Sequence, residues 1–258
     1  MYERHERIQH DLRRVEDEED VRVLLAVESG SRACGFASPD SDNDVRFVYC
    51  HRQERYLTIE SFRDVIERPI TDEIDLAGWD IRKALVLFRK SNSPLLEWLN
   101  CPIIYPIHTS FARSLRMMAD EQFSQRSSFL HCLHMAEGNL KDSLQGDAVR
   151  HKKYLYVLRP ILAMRWLEEG RGRVPIEFDR LLDAGLPDGS VREAIDALLV
   201  VKQRSPESMV GAIIPAIHDY IEGHLPRLRA IADHKPDTDI GIEPLNELFR
   251  RTIVDAWA

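Results

Sequence analysis

Two aspartates separated by one residue, Asp42 and Asp44, open an apolar run, Val45-Arg46-Phe47-Val48-Tyr49-Cys50. In an extended strand, side chains at i and i+2 stand on one face. Two carboxylates held side by side repel unless a cation lies between them. Hard oxygen donors of this kind suit Mg²⁺ or Mn²⁺, with phosphates and water completing the shell. Val45 and Phe47 are expected on the opposite, core-facing side, which fixes the register and keeps the carboxylates toward a cleft. Arg46 continues the carboxylate face. It can pair with a neighbouring acid or contact a triphosphate.

Upstream, a strand expected at residues 21–28, VRVLLAVE, runs into Ser29-Gly30-Ser31-Arg32. Gly30 permits close approach of backbone to a ligand. Ser31 adds a hydroxyl, and the turn can aim N–H groups at phosphate; Arg32 is counted with them as nucleotide-binding. Alone, SPDSDND is an ordinary acidic turn. The order makes it chemical: buried strand, Gly-Ser, a spacer of about ten residues, then Asp-x-Asp entering a second strand, 44–50.

The segment GSRACGFASPDSDNDVRFVY resembles the signature of the DNA polymerase β nucleotidyltransferases. With DLAGWDIRKAL and KSNSPLLEWLNCPIIY, it is similar to predicted nucleotidyltransferases of bacteria and phages associated with RNA repair, over roughly residues 20–170. The resemblance implies transfer of a nucleoside monophosphate from an NTP to a hydroxyl, with Mg²⁺ or Mn²⁺ held by Asp42, Asp44 and a third carboxylate. Asp75, flanked by Ile74 and Leu76, is the preferred third ligand. Asp80 reads as a helix N-cap, and Asp72 and Glu73 are weaker options. The acceptor implied is an RNA 3′ end such as that of tRNA. A small molecule, a protein side chain, or a silent nucleotide- or RNA-binding module are the alternatives.

The elements that must position these residues follow from periodicity. Ile8, Leu12 and Val15 mark an amphipathic helix over 3–16, and a further strand is expected at 72–79. A helix should follow Asp80, another should start with Ser93-Pro94 as N-cap and first residue, and Ile103–Tyr105 reads as a short strand. Beyond residue 108 helical spacing dominates: 108–120, 125–145, 149–169, 190–204, 206–223 and 241–256, with loops at Pro187–Gly189 and Pro236-Asp237. The expected architecture is an α/β or α+β domain of polymerase-β type, a mixed sheet with helices, over 1–107. An all-helical substrate- or nucleotide-binding domain follows over 108–258.

Residues 148–167 carry Arg150, Lys152, Lys153, Arg159 and Arg165 without an acid, with Tyr154 and Tyr156 interleaved. Lys152, Lys153 and Tyr156 are candidates for triphosphate and base contact, against a solvated basic side with Tyr154 in the core. Pro160 is expected to kink or restart the helix. Trp79 and Trp98 read as packing. His131 and His134 stand three apart, but no partner pair accompanies them.

Bulk properties bound the rest. A net charge of −8 gives no support for tight non-specific nucleic-acid binding, and leaves room for a local basic groove. Four scattered cysteines without a Cys-x-x-Cys pair argue against a disulfide framework or zinc site. The charged N-terminus and the absence of an apolar run of about 18 residues predict a cytoplasmic protein without a membrane span.

Overall fold

The computed structural model describes residues 2–71, 73–105, 107, 110–143, 148–204, 210–232 and 240–258. Asp72, Pro236-Asp237 and the first part of the helix expected at 206–223 lie outside the described residues. In chain order the elements are α1 (Tyr2–Glu19), β1 (Val21–Glu28), α2 (Gly30–Cys34), β2 (Asn43–His51), α3 (Gln53–Tyr56), β3 (Val65–Glu67), β4 (Ile74–Asp80), α4 (Ile81–Arg89), α5 (Ser93–Asn100) and α6 (Phe111–Glu121). Then come α7 (Gln125–Ser143), β5 (Ala148–Arg150), α8 (Lys152–Glu168), α9 (Phe178–Gly185), α10 (Ser190–Arg204), β6 (Val210–Ala212), α11 (Pro215–Ile231) and α12 (Ile242–Asp255). The fold class is a mixed sheet with many helices.

The chain divides into two compact units: 1–30 with 42–122 and 239–258, and 31–41 with 123–238. This is not a single cut at residue 107. The C-terminal helix α12 packs on α4 and α6 and so returns to the first unit, whereas the spacer 31–41 counts with the second.

In the first unit the sheet order is β1-β2-β4-β3; β1 and β3 pair antiparallel to their neighbours, and β2 and β4 run parallel. Residues 103–105 add a short antiparallel edge to β1, through Glu28 N–H to Ile103 O and Tyr105 N–H to Ala26 O, both 3.0 Å. The apolar stripe of α1 (Ile8, Leu12, Val15) closes one face, over Val23, Val45, Phe47, Tyr49, Ile74 and Leu76. Alternation along β2 and β4 therefore sends Asp44, Arg46 and Asp75 to the other face. Trp79 on that face stacks on Trp98 of α5, ring centroids 4.0 Å apart.

Asn92, not Ser93, caps α5: its backbone is extended and its Oδ1 accepts the Leu95 N–H at 3.2 Å. Asp80 does cap α4, accepting the Arg82 N–H at 2.7 Å.

The second unit is built around α8, which packs against α7, α9 and α11. Tyr154–Leu155 and Val157–Met164 are buried without a break, as expected of a helix apolar on all sides. The helix is not restarted at Pro160, which lies inside it. Val149 and Val210 belong to a two-stranded ribbon, β5 with β6, rather than to helices. Among the described residues no helix is long and apolar enough to cross a membrane.

Candidate active site

The sheet register decides which carboxylates meet. Asp44 of β2 lies directly opposite Asp75 of β4 in the parallel pair, whereas Asp80 lies opposite Tyr49, five residues further along. At about 3.3 Å per residue that separates the two β4 aspartates by roughly 16 Å. Asp44 and Asp75 side chains are both 31% exposed, and one guanidinium bridges them: Arg46 Nη2 donates to Asp44 Oδ1 at 3.1 Å and Asp75 Oδ2 at 2.7 Å. Its Nη1 donates to the backbone carbonyls of Val45 at 3.1 Å and Asp75 at 3.0 Å. Burial pushes the Asp44 carboxyl above its ordinary range. Arg46 opposes that shift, and Asp75, Glu28 and Asp42 add to it. Asp42 is exposed, one residue before β2 begins. Among the described residues no three His, Cys, Asp or Glu side chains converge as a ready metal cage.

Gly30 is fixed by this arrangement. Its φ is +60°, and a Cβ there would sit 1.9 Å from Asp44 Oδ2, so only a residue without a side chain lets the turn approach the carboxylate. The Ser29 N–H donates to Asp44 O at 2.7 Å, tying the turn to β2.

Sequence reasoning missed Glu28. This acidic residue is only 1% exposed. Oε1 accepts the Asp44 N–H at 2.8 Å, and Oε2 accepts Asn43 Nδ2 at 2.9 Å and the Tyr105 hydroxyl. A buried carboxylate with three donors is satisfied. It clamps the end of β1, the start of β2 and the edge segment at 105, and so sets the backbone that carries Asp44. The signal was a lone acid closing an apolar strand.

Asp80 is 1% exposed and accepts from the Tyr56 hydroxyl at 2.7 Å as well as from Arg82 N–H. Its donors are structural. Glu73, another third-carboxylate option, pairs with Arg4 at 2.7 Å, more exposed than the Asp44–Asp75 pair.

The remaining candidates belong to the second unit. Arg32 donates to Ser41 O at 2.6 Å across the spacer, and Ser31 is buried, with its carbonyl accepting the Phe36 N–H. Phe36 is held edge-on by Tyr156 and Phe178, at 5.9 and 5.5 Å, so Tyr156 packs on the spacer. Lys153 Nζ stands 5.8 Å from the Tyr156 ring, and Lys152 is half-buried. Arg159, counted in the basic stretch 148–167, is buried and donates Nε to Ile176 O at 3.4 Å. Tyr154 is core, its hydroxyl accepting the Ile214 N–H.

A strand–Gly-Ser–spacer–Asp-x-Asp–strand unit in a mixed sheet, with a further aspartate in register on the neighbouring parallel strand, defines a nucleotidyltransferase-type domain of the polymerase β class. Comparison with protein families narrows this: residues 4–251 match the model of the RNA repair pathway DNA polymerase beta family, and the chain belongs to that family. It is 42% identical over 253 residues to the uncharacterized protein YcgL of Bacillus subtilis (strain 168), covering 98% of this chain and 97% of that one. Among solved structures, a nucleotidyltransferase-like protein from Exiguobacterium sibiricum 255-15 aligns at 11% identity and a TM-score of 0.26, over 87% of this chain and 76% of that chain.

Proposed function

We propose that the protein is a metal-dependent nucleotidyltransferase that moves a nucleoside monophosphate from an NTP to a hydroxyl, with an RNA 3′ end as the acceptor. The observation that carries the reading is the in-register opposition of Asp44 and Asp75 on adjacent parallel strands, with the Gly30 backbone against Asp44.

The residues fit a hard divalent cation. Asp44 and Asp75 each use one oxygen on Arg46, and among the described residues neither's second oxygen is hydrogen-bonded. Mg²⁺ commonly takes one or two carboxylates and draws its other ligands from water and substrate phosphate, so two protein carboxylates suffice, with Asp42 the further metal ligand in this reading. Bound there, the metal would neutralise charge on the attacking and leaving oxygens. The chain's own contribution is placement. Asp75 would orient the acceptor hydroxyl and receive its proton, passing it to water. The hydroxyl oxygen bonds to the α-phosphorus as the bond from that phosphorus to the bridging oxygen breaks and pyrophosphate leaves. N–H groups of the Gly30-Ser31 turn would hold the leaving phosphates, and Arg32, Lys152, Lys153 and Tyr156 are the further nucleotide contacts in this reading.

The test incubates purified protein with Mg²⁺ or Mn²⁺, each labelled NTP in turn and total cellular RNA, beside Asp44→Asn and Asp75→Asn. Label should appear in RNA with the parent protein and be lost with both variants. Transfer at parental rates by either variant would end the mechanism. Label on protein or on a small molecule would replace RNA as the acceptor.

A further inference from the structure

Arg46 makes an unusual use of a guanidinium. Opposed carboxylates on adjacent strands lie about 4.8 Å apart at the backbone, and like charges facing each other destabilise a sheet. Here the residue two places after Asp44, on the same face, supplies the opposite charge to both acids through a single nitrogen, Nη2, at 3.1 and 2.7 Å. Nη1 is fixed separately, on two backbone carbonyls. Among the described residues no other side chain donates a hydrogen bond to Asp44 or Asp75. Arg46 is 21% exposed on its side chain, so the pairing is partly shielded from solvent.

We infer that Arg46 is a resident counter-cation of this pair, holding Asp44 and Asp75 together before a divalent cation arrives and competing with that cation for them. The inference rests on the metal-site reading given under Proposed function. A divalent ion approaches carboxylate oxygens to about 2.1 Å and brings two charges, so it outcompetes the guanidinium. It binds against a charge already in place, however, and that charge opposes it even where the ion takes the carboxylate oxygens that Arg46 leaves open. The fork thus has two effects: it prevents collapse or splaying of the acids in the metal-free protein, and it weakens metal affinity.

The experiment measures Mn²⁺ binding to the full chain by the electron-spin signal of free Mn²⁺, together with thermal unfolding in chelator and in excess Mn²⁺. The variants are Arg46→Gln, Arg46→Lys and Asp44→Asn, with Arg46→Met in place of the glutamine should that variant not fold. Arg46→Gln is expected to bind Mn²⁺ about tenfold tighter or more. It should melt lower than the parent in chelator and regain the difference in Mn²⁺. Arg46→Lys, which restores a charge, should return the affinity toward the parent's. Equal or weaker binding by Arg46→Gln, or a lysine variant that behaves like the glutamine one, overturns the role of Arg46 alone. Mn²⁺ bound by Asp44→Asn as tightly as by the parent overturns the metal site itself, and the inference with it.

Discussion

The two ends of β4 each carry an aspartate, and the two live in opposite environments. Asp75, near the start, is partly exposed and faces Asp44 across the strand pair, with Arg46 between them. Asp80, at the end, is buried, caps α4 and accepts the Tyr56 hydroxyl. They stand five positions apart, an odd offset, so they leave the sheet on opposite faces. One carboxylate has its hydrogen-bonding capacity taken up by the fold. The other keeps an oxygen toward solvent and stands beside a second acid, which costs stability and is what a cation can relieve. The same side chain on the same strand is thus a stabilising cap at one end and a half-exposed acid paired through Arg46 at the other, and the difference lies in register and burial.

The sharpest way to break that contrast is to neutralise the exposed end. Asp44→Asn and Asp75→Asn should each lower nucleotidyl transfer by about a hundredfold or more, the scale seen when a preorganised charge contact to a transition state is lost. Both should leave the unfolding midpoint at or above the parent's, since a like-charge pair is relieved. Rates and urea melts on the same samples check this, and a fall in stability matching the fall in rate would make Asp75 structural like Asp80. Gly30→Ala comes next. The added methyl meets Asp44 Oδ2 at 1.9 Å and the backbone sits at φ +60°, so roughly 1–3 kcal/mol of strain is expected, with transfer reduced at least tenfold because Asp44 must move. Full activity in a folded Gly30→Ala would mean that the close approach of turn and carboxylate is incidental.

Much of this site was legible in the sequence because local chemistry wrote it there. The apolar residues of β1, Val21 and Val23–Val27, and the alternation of Asp44, Arg46 and Val48 against Val45, Phe47 and Tyr49 are properties of neighbouring residues. So was the difference in setting between Asp75, bracketed by apolar residues within a strand, and Asp80, which leads into a helical stripe. What stayed hidden depends on pairing across long chain separations. Glu28 takes its donors from Asn43, Asp44 and Tyr105, up to 77 residues away, and its place at the end of an apolar strand does not name them. Phe36 sits in a run of turn-forming residues, so its burial against Tyr156 and Phe178, which draws the spacer into the second unit, could not be read from its neighbours. The strands β3, β5 and β6 are three residues each, too short to display a period of two. The return of α12 to the first unit leaves no local signature either.

At the buried end of β4 the expected effects fall on stability. Asp80→Ala removes the cap, costing about 1 kcal/mol. It also leaves the Tyr56 hydroxyl without its acceptor, for a total of about 2–3 kcal/mol, with transfer per folded molecule unchanged.

Asp80→Asn has the smallest effect and the most informative one. Burial raises the Asp80 carboxyl above its ordinary value of 3.8, against the pull of the Tyr56 and Arg82 donors. A raised acid holds its proton more tightly folded than unfolded. Its contribution to stability is therefore full below the unfolded value and is lost as pH climbs through the folded one. Asparagine keeps an oxygen for the Arg82 N–H and has no proton to lose. The variant should sit closest to or below the parent in stability at pH 4 and gain on it as pH rises, the difference levelling off once Asp80 is ionised in the folded parent. Asp44, raised as well, is present in both proteins and cancels. Urea midpoints across pH 4–8 measure the difference. A gap that stays constant with pH would mean that Asp80 is held as a comfortable carboxylate, and that burial alone does not separate the two ends of the strand.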